Sequence, residues 1–483
     1  MSEPHNLKES VAKGFFWAAI SNGAQQVVMM LIGIVLARLL DEADYGMVAM
    51  LTVFSVIAAN LQEGGFYNAL AVRKEARHED FNAVFWFNVL MSAAIYVILF
   101  FTVPLIADFN HTPQLVPLGR VLFLGFVITG LGTAQAAWLF RNLMVKQKTT
   151  SQVKASLFSG LVGLAAAWWG AGCWSLVYMD LSYKAAYVLL VWHYSPWRPT
   201  LQINFRPALQ MFGFGSRMLV TNLLMVVNNQ LLQTLLGHFY PAGQVGQYSQ
   251  ANKWNTMGST LLTGMVGSVA QPALAKVGDE EGRQLRIFRK MLRFTAFFSF
   301  PALLGLGLVA PEFIFITIGS KWMECVPYLQ TLCVAGAFIP INQMFSNLLI
   351  SQEKSGIYLA SATAFLLCQL AAVVVLYPYG IGTLLYAVSG LNVAWLGIWF
   401  VIVHREVGLR FRHLLADIVP FLLLALLSLA AAGCAASFFS VPLVVLFVKV
   451  IVTIVVYALC MHFSGAEIWK ECLAFFLGKF RKR

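Results

Sequence analysis

Residues 81–106 read FNAVFWFNVLMSAAIYVILFFTVPLI, a run as long as a bilayer crossing without one charged side chain. The hydrocarbon core of a bilayer takes roughly 20 apolar residues of helix. Lipid also requires every backbone polar group to be satisfied within the segment. Outward from that run, comparable stretches recur near 12–37, 45–70, 115–139, 149–169, 172–194, 207–237, 243–272, 288–310, 325–350, 356–377, 380–403, 414–438 and 442–463. The seventh and eighth are the most polar. The chain is predicted to be an all-α polytopic membrane protein with about 14 transmembrane helices.

Composition agrees with this reading. Apolar residues make up 59% of the 483 and charged residues 11%, against about 25% charged in a soluble domain. The longest polar interruption, Lys276 to Arg293, leaves room for a short amphipathic linker at most. The first apolar run is span-length and lacks a small-residue cleavage site, so no cleavable signal peptide is expected. Seven cysteines, at 173, 325, 333, 368, 434, 460 and 472, form an odd set without a CxxC pair. They read as small apolar packers, not as disulfides or metal ligands.

The net charge of +12 is distributed in a way that argues against nucleic acid. Lys and Arg gather in alternate connections: Arg73, Lys74 and Arg77; Arg141, Lys146 and Lys148; Arg198 and Arg206; then Lys276 through Arg293, Lys354, and Arg405 through Arg412. The intervening loops carry only Arg38 and Lys321. Such a bias is the positive-inside rule, and it places both termini in the cytoplasm with an even number of spans. The basic tail is expected to lie against anionic lipid headgroups.

A shift of 200 residues lays Asn22 on Asn222, Gly46 on Gly246 and Gly64 on Gly264. Six spans separate the two copies, so both begin in the cytoplasm, as parallel repeats would. The expected organisation is an N-terminal six-helix lobe over 1–204 and a second lobe over 205–412. Two extra helices and a basic cytoplasmic tail are expected to fill 413–483, with Lys449 inside the last span.

Polar residues inside the spans are uneven. The first carries Ser21, Asn22, Gln25 and Gln26; the second Asn60, Gln62 and Glu63. The seventh carries Arg217, Asn222, Asn228, Asn229, Gln230 and Gln233, and the eighth Gln247, Gln250, Asn252, Lys253, Asn255 and Thr256. Asn342, Gln343 and Asn347 lie in the tenth. Polar side chains at bilayer depth face protein or a watery cavity. Hydrogen bonds between helices account for one or two amides per span; five or six on adjacent spans favour a hydrated cavity. Among the charges, Asp180 and Lys184 stand four apart on one helix face, the spacing of a local ion pair. Arg217 and Lys253 have no acid at helical spacing in their own spans. Glu63 faces a choice between pairing with one of them and binding a proton or Na⁺. Arg120 and Lys449 lie nearer span ends, where long side chains snorkel to the interface.

No G-x-x-x-x-G-K-[ST] loop occurs, so ATP hydrolysis within the chain is excluded. H-E-x-x-H, Cys/His zinc spacing and G-x-S-x-G are also absent. The acids Asp41, Glu42 and Asp44 fall in a tight outer connection, where they are placed to cap the following helix.

The segment LARLLDEADYGMVAM (36–50) resembles the junction of the first two helices in bacterial polysaccharide flippases. These are the Wzx-type transporters of the multidrug/oligosaccharidyl-lipid/polysaccharide superfamily. EGGFYNALAVRKE (63–75), FWFN (85–88), WLFRNLMVKQK (138–148) and LLGHFYPAGQVGQYSQANK (235–253) extend the resemblance from about residue 10 to 410. Two departures stand out. A proline often found in the first outer loop is replaced around Glu42, and an Asp often found near Leu232 is missing, which puts a cation site built on it in doubt.

The resemblance implies two six-helix lobes that open alternately to either side of the bacterial inner membrane. The implied substrate is a polyprenyl-pyrophosphate-linked oligosaccharide, turned from the cytoplasmic to the periplasmic leaflet for surface polysaccharide biosynthesis. On that footing Arg217, Lys253, Asn22, Gln25, Asn222, Asn229 and Gln250 are the expected lining for the sugar-pyrophosphate headgroup. Glu63, Asp180 and Lys184 are the candidates for ion coupling or a conformational latch, with H⁺ or Na⁺ as the coupling ion and no other cofactor. Expected partners are the lipid-linked glycan, membrane lipids and polysaccharide polymerase machinery. Alternatives are an amphiphile:cation antiporter, which would favour an acidic, aromatic cavity, or a peptidoglycan-precursor flippase. A membrane glycosyltransferase or polymerase, the alternative from another class, would need catalytic residues in large outer loops.

Overall fold

The computed structural model describes residues 26–63, 77–142, 144–201, 204–205, 226, 230–275, 281–352, 354–465 and 468–470. These residues are helical almost throughout, with no strand among them. The chain divides into two compact units, Met1–Gly246 and Gln247–Arg483.

Unit 1 contains α1 (Gln26–Leu39), α2 (Glu42–Glu63), α3 (His78–Phe109), α4 (Leu115–Leu122), α5 (Leu124–Gly130), α6 (Thr133–Arg141), α7 (Val145–Trp168), α8 (Trp174–Tyr194) and α9 (230–239). It ends with the first turn of α10 (Ala242–Ala275). Unit 2 holds the remainder of α10 with α11 (Glu281–Thr317), α12 (Cys325–Ser351), α13 (Ser355–Leu376), α14 (Ile381–Val407), α15 (Phe411–Ala436) and α16 (Pro442–Phe463). Among the described residues, eight helices are long and apolar enough to cross a membrane by themselves. The bent pair Leu115–Gly130 and Thr133–Arg141 makes a ninth.

That pair is the predicted span 115–139, broken by 42°. Around the break, Leu131 N donates to Ile128 O at 3.2 Å and Gly132 N to Thr129 O at 2.9 Å. These shorter-range bonds tighten the helix where Gly130 and Gly132 weaken its preference to continue. The reverse occurs at the polar interruption before the ninth span. Instead of a separate linker, α11 starts at Glu281 and runs 37 residues without a break, carrying Arg283, Arg286, Arg289 and Arg293 on the same helix.

In unit 1, α7 and α8 form a hairpin whose turn passes through Gly170 (φ +79°) and Gly172 (φ +55°), a left-handed backbone that glycine adopts without strain. The acids at the start of α2 cap it as their position suggests: Asp44, in the first turn, accepts at Oδ2 from the N–H of Asp41 just before the helix, at 3.1 Å. The extended segment after α8 folds back onto α3. Thr200 N donates to Asn82 Oδ1 at 2.9 Å, and Trp86 Nε1 to Thr200 O at 2.8 Å. Trp197, Phe81 and Phe85 pack around this clasp.

The end of unit 1 returns to α2. Gln233 Nε2 donates to Ala49 O at 3.0 Å, and the His238 ring stacks on Phe109 at 4.1 Å. Here Gly46 and Gly246 approach the opposite backbone. A Cβ on Gly46 would lie 1.7 Å from the Ala242 carbonyl oxygen, and one on Gly246 would lie 1.9 Å from that of Glu42. Both contacts obey the same 200-residue shift read from the sequence.

Unit 2 is organised around α12, the most enclosed of its spanning helices. Phe288, Phe300, Phe345 and Met344 fill the space between α11 and α12, and Trp395 and Trp399 bring α14 against them. Two prolines inside α11 withdraw backbone donors: Pro301 has no N–H for Phe297 O, nor Pro311 for Gly307 O. Both carbonyls are met by side chains from other helices. Tyr457 Oη of α16 donates to Phe297 O at 3.0 Å, and Gln330 Nε2 of α12 donates to Gly307 O at 3.3 Å.

The closing helices α15 and α16 are also joined to α11 through charge. Asp417 of α15, 2% exposed at its side chain, accepts from Arg289 Nε at 2.6 Å and Nη2 at 3.1 Å, with Arg293 Nε 3.3 Å away. Lys449 of α16 does not snorkel to an interface as its position suggests. It meets both carboxylate oxygens of Glu312, at 2.8 and 2.9 Å, and the Leu308 carbonyl at 3.1 Å. An ammonium at bilayer depth takes a nearby carboxylate in preference to a longer reach for water. Arg120 likewise lies over the Phe100 ring, 4.3 Å from its centre.

Candidate functional site

Five of the predicted headgroup residues, Asn22, Gln25, Arg217, Asn222 and Asn229, lie outside the described residues. So does the Glu63 side chain, although its backbone closes α2. The other predicted positions fall in two places, one in each unit.

In unit 1 they gather around Phe126 on α5. Gln62, next to Glu63 and buried, donates from Nε2 to Phe126 O at 3.1 Å. From α8, Lys184 reaches over the same residue, its Nζ 5.6 Å from the ring centre. Gly125 makes room for it, since a Cβ there would come within 2.7 Å of Lys184 Nζ. Asp180 Oδ2 accepts from that ammonium at 2.6 Å. The four-residue spacing therefore produces the local ion pair it suggests, and both partners stay partly exposed. The site brings α2, α5 and α8 together around one compensated lysine.

In unit 2 the polar face of α10 divides. Gln247, Gln250, Ala251, Trp254 and Asn255, at helical spacing, are all buried. Gln247 Nε2 donates to Lys321 O at 3.0 Å, and Trp254 meets Phe313 edge-on at 4.9 Å between ring centres. Asn255 sits against Gly336 of α12, where a Cβ would be 2.2 Å from its Oδ1. Gln250 is 1% exposed, and neither end of its amide has a hydrogen-bond partner among the described residues. Lys253 lies on the flank of this face, half-buried, with Thr256, Thr260 and Gly264 exposed farther along the helix. Its Nζ is 5.7 Å from the Trp254 ring centre, and no ion pair links it to a described carboxylate. No described carboxylate therefore competes with an anion for Lys253, whereas Lys184 shares its charge with Asp180.

The tenth-span amides serve packing. Asn342 Nδ2 donates to Asn392 O of α14 at 3.2 Å, and Gln343 Nε2 to Asn347 Oδ1 at 3.3 Å. Six cysteines are free thiols: 173, 325, 333, 368, 434 and 460. Sequence reasoning missed the pairings of Glu312 and Asp417. Neither acid has its partner at helical spacing, so only an inventory of span acids against basic residues elsewhere would have suggested them.

Residues 35–327, more than half of the chain, match the family described as polysaccharide biosynthesis protein. The chain belongs to the polysaccharide biosynthesis protein family. Among its relatives is the lipopolysaccharide biosynthesis protein WzxC of Escherichia coli (strain K12). It is 28% identical over 360 residues, spanning 72% of this chain and 71% of that one. The teichuronic acid biosynthesis protein TuaB of Bacillus subtilis (strain 168) is 24% identical over 448 residues, 89% of this chain and 90% of its own. The succinoglycan biosynthesis transport protein ExoT of Rhizobium meliloti (strain 1021) is 21% identical over 330 residues, 68% of this chain and 66% of that one. In fold, this member of the family is similar to the lipid II flippase MurJ in an inward closed conformation. The TM-score is 0.74 at 12% identity, covering 93% of this chain and 99% of that one. An inward-facing multidrug resistance MATE family transporter of the MOP superfamily gives a TM-score of 0.63 at 15% identity, covering 80% and 94%. The polysaccharide biosynthesis family member is thus a multi-pass membrane protein with the fold shared by these transporters.

Proposed function

We propose that this protein is a flippase that carries a polyprenyl-pyrophosphate-linked oligosaccharide from the cytoplasmic to the periplasmic leaflet of the bacterial inner membrane, by alternating access. The observation that carries the reading is membership of a polysaccharide biosynthesis family by a chain that has, among its described residues, eight helices long and apolar enough to cross a membrane. A charged glycan headgroup is costly in hydrocarbon, and the work left to such a chain is to offer a polar route while the lipid tail stays in the bilayer. Lys253, half-buried with no described carboxylate partner, suits one phosphate of the headgroup; Arg217 is its proposed companion. Asn22, Gln25, Asn222, Asn229 and Gln250 are proposed to meet sugar hydroxyls. Glu63 is proposed as the coupling group for H⁺ or Na⁺, and Asp180–Lys184 as a latch. Both termini are proposed to be cytoplasmic.

Deletion of the gene followed by mass spectrometry of lipid-linked saccharides tests this. The expected result is accumulation of the complete repeat unit on its polyprenyl carrier, facing the cytoplasm. Accumulation of a truncated unit would instead identify a glycosyltransferase, and an unpolymerised unit already in the periplasmic leaflet a polymerase. Lys253→Ala is expected to reduce export at native abundance, with Lys253→Arg retaining more. Glu63→Gln is expected to remove the dependence on an ion gradient, and wild-type transport indifferent to both H⁺ and Na⁺ gradients would eliminate coupling.

A further inference from the structure

Spanning helices of this chain turn hydrocarbon outward: on α3 the exposed large side chains include Leu90, Ile98, Phe101 and Leu105. The outward face of α10 is different. Opposite its buried Gln247, Gln250 and Trp254 it carries Ser249, Lys253, Thr256, Thr260 and Gly264 at helical spacing, and the last three are exposed. Polar side chains at bilayer depth face a water-filled path, not lipid. Ser259 and Thr263, on a neighbouring side of α10, donate to the carbonyls of Asn255 and Ser259 at 2.7 and 2.6 Å, a common arrangement for hydroxyls within a helix. Thr256 reaches only the Asn252 side chain, at 3.5 Å, and Thr260 has no hydrogen bond among the described residues. Lys253 is the one charged residue among the 34 of α10. Toward the start of the helix the polar stripe closes, because Val245 and Gly246 on the same side are buried. In the other direction it stays open through Thr260 to Gly264. At about 1.5 Å per residue, Thr256 and Thr260 lie about 4.5 and 10.5 Å beyond Lys253 along the axis.

We propose that Thr256 and Thr260 select the sugar joined directly to the pyrophosphate, and that this sugar is uncharged. The proposal rests on the flippase reading, with Lys253 holding a phosphate. From there the buried Val245 and Gly246 leave the glycan one direction along α10, toward the two threonines. Each threonine hydroxyl can donate to one sugar hydroxyl and accept from another. A uronic acid carboxylate in the same place would meet no cation on α10 beyond the one engaged by phosphate, and a charge taken from water without a partner is costly. Lys253 thus anchors the anion that any such substrate carries, whereas the threonines distinguish one glycan from another.

Native mass spectrometry of the full chain in detergent, titrated with farnesyl pyrophosphate esterified to glucose, galactose, glucuronic acid or cyclohexanol, tests the assignment. The cyclohexyl probe has the charge and ring of the hexose probes without their hydroxyls. At least one hexose probe is expected to bind roughly tenfold more tightly than the cyclohexyl one, the gain that two net hydrogen bonds imply. The glucuronosyl probe is expected to bind more weakly than that hexose. Thr256→Val with Thr260→Val keeps the shapes and removes both hydroxyls, and should bring the hexose probes down to the cyclohexyl level; serine at both positions should restore the gain. Where the valine pair does not fold, Thr260→Ala alone should lower hexose binding roughly threefold. Hexose binding no tighter than cyclohexyl in the wild type overturns the proposal, as does a hexose gain that survives in the folded valine pair. Glucuronosyl binding equal to that of the hexoses overturns it too. A wild type that binds the pyrophosphate probes without telling them apart loses the sugar assignment alone, whereas one that binds none of the four loses the flippase reading as well.

Discussion

Gly46 and Gly246 are each pressed against the backbone that the other's helix presents one turn earlier, at Ala242 and Glu42. The contact is reciprocal, and it ends the freedom of either position to carry a side chain. Close approach of this kind is the use membrane helices make of small residues. Gly46→Ala and Gly246→Ala are each expected to lower stability by about 1–3 kcal/mol, the usual range for overpacking. Either methyl would separate the same crossing, so the double variant should lose less than the sum. Thermal melting in detergent across the four proteins checks this, and additivity within about 0.5 kcal/mol would contradict a shared contact.

Asp417→Ala removes the carboxylate that Arg289 meets through two hydrogen bonds and is expected to cost about 1.5–3 kcal/mol, the worth of hydrogen bonding to a charged group. Lys449→Met should leave the Glu312 carboxylate without its ammonium. Adding Glu312→Gln to Lys449→Met removes the stranded carboxylate, so the double variant should melt above the single one. A double variant that melts no higher would mean that the pair contributes nothing to the seating of α16.

Gly125→Ala separates packing from function in unit 1. The added methyl meets the flexible end of Lys184, so melting should change by less than about 1 kcal/mol. If the Asp180–Lys184 pair acts in transport, export should fall several-fold at native abundance, and Lys184→Met should match it. Full export by both variants would leave the pair a structural feature of α8 only.

Single cysteines on a cysteine-free background report the proposed orientation. Positions 147 and 280 should resist an impermeant reagent in intact cells, whereas 41 and 241 should react. Labelling at 147 or 280 would reverse the assignment.

Tyr457→Phe should cost about 1 kcal/mol, the net worth of one hydrogen bond. Pro301→Ala restores an N–H to Phe297 O, so in that background the tyrosine hydroxyl should lose most of its value. An identical loss in both backgrounds would disconnect it from the proline.

The apolar stretches were legible because the bilayer imposes one length and one composition on anything that crosses it. The Gly46–Gly246 correspondence was legible as a spacing, although its meaning as a backbone contact was not. Asp180–Lys184 followed from helical geometry alone. What the letters could not give is which face of α10 turns inward. Amides occupy both sides of that helix, and Gln250 and Lys253, three residues apart, differ in surroundings because of α11 and α12. The pairings of Lys449 and Asp417 were hidden for the same reason: their partners are more than a hundred residues away in the chain.

The hydroxyl on Phe297 O arrives from a residue 160 positions later. During synthesis, α11 therefore enters the bilayer with a backbone acceptor that nothing in its own neighbourhood can answer. It waits there while four further helices are threaded, and only the arrival of α16 relieves it. The last of the long helices is thus a maturation step for an earlier one. A chain interrupted before residue 457 would lack the donor that answers this carbonyl in the finished protein.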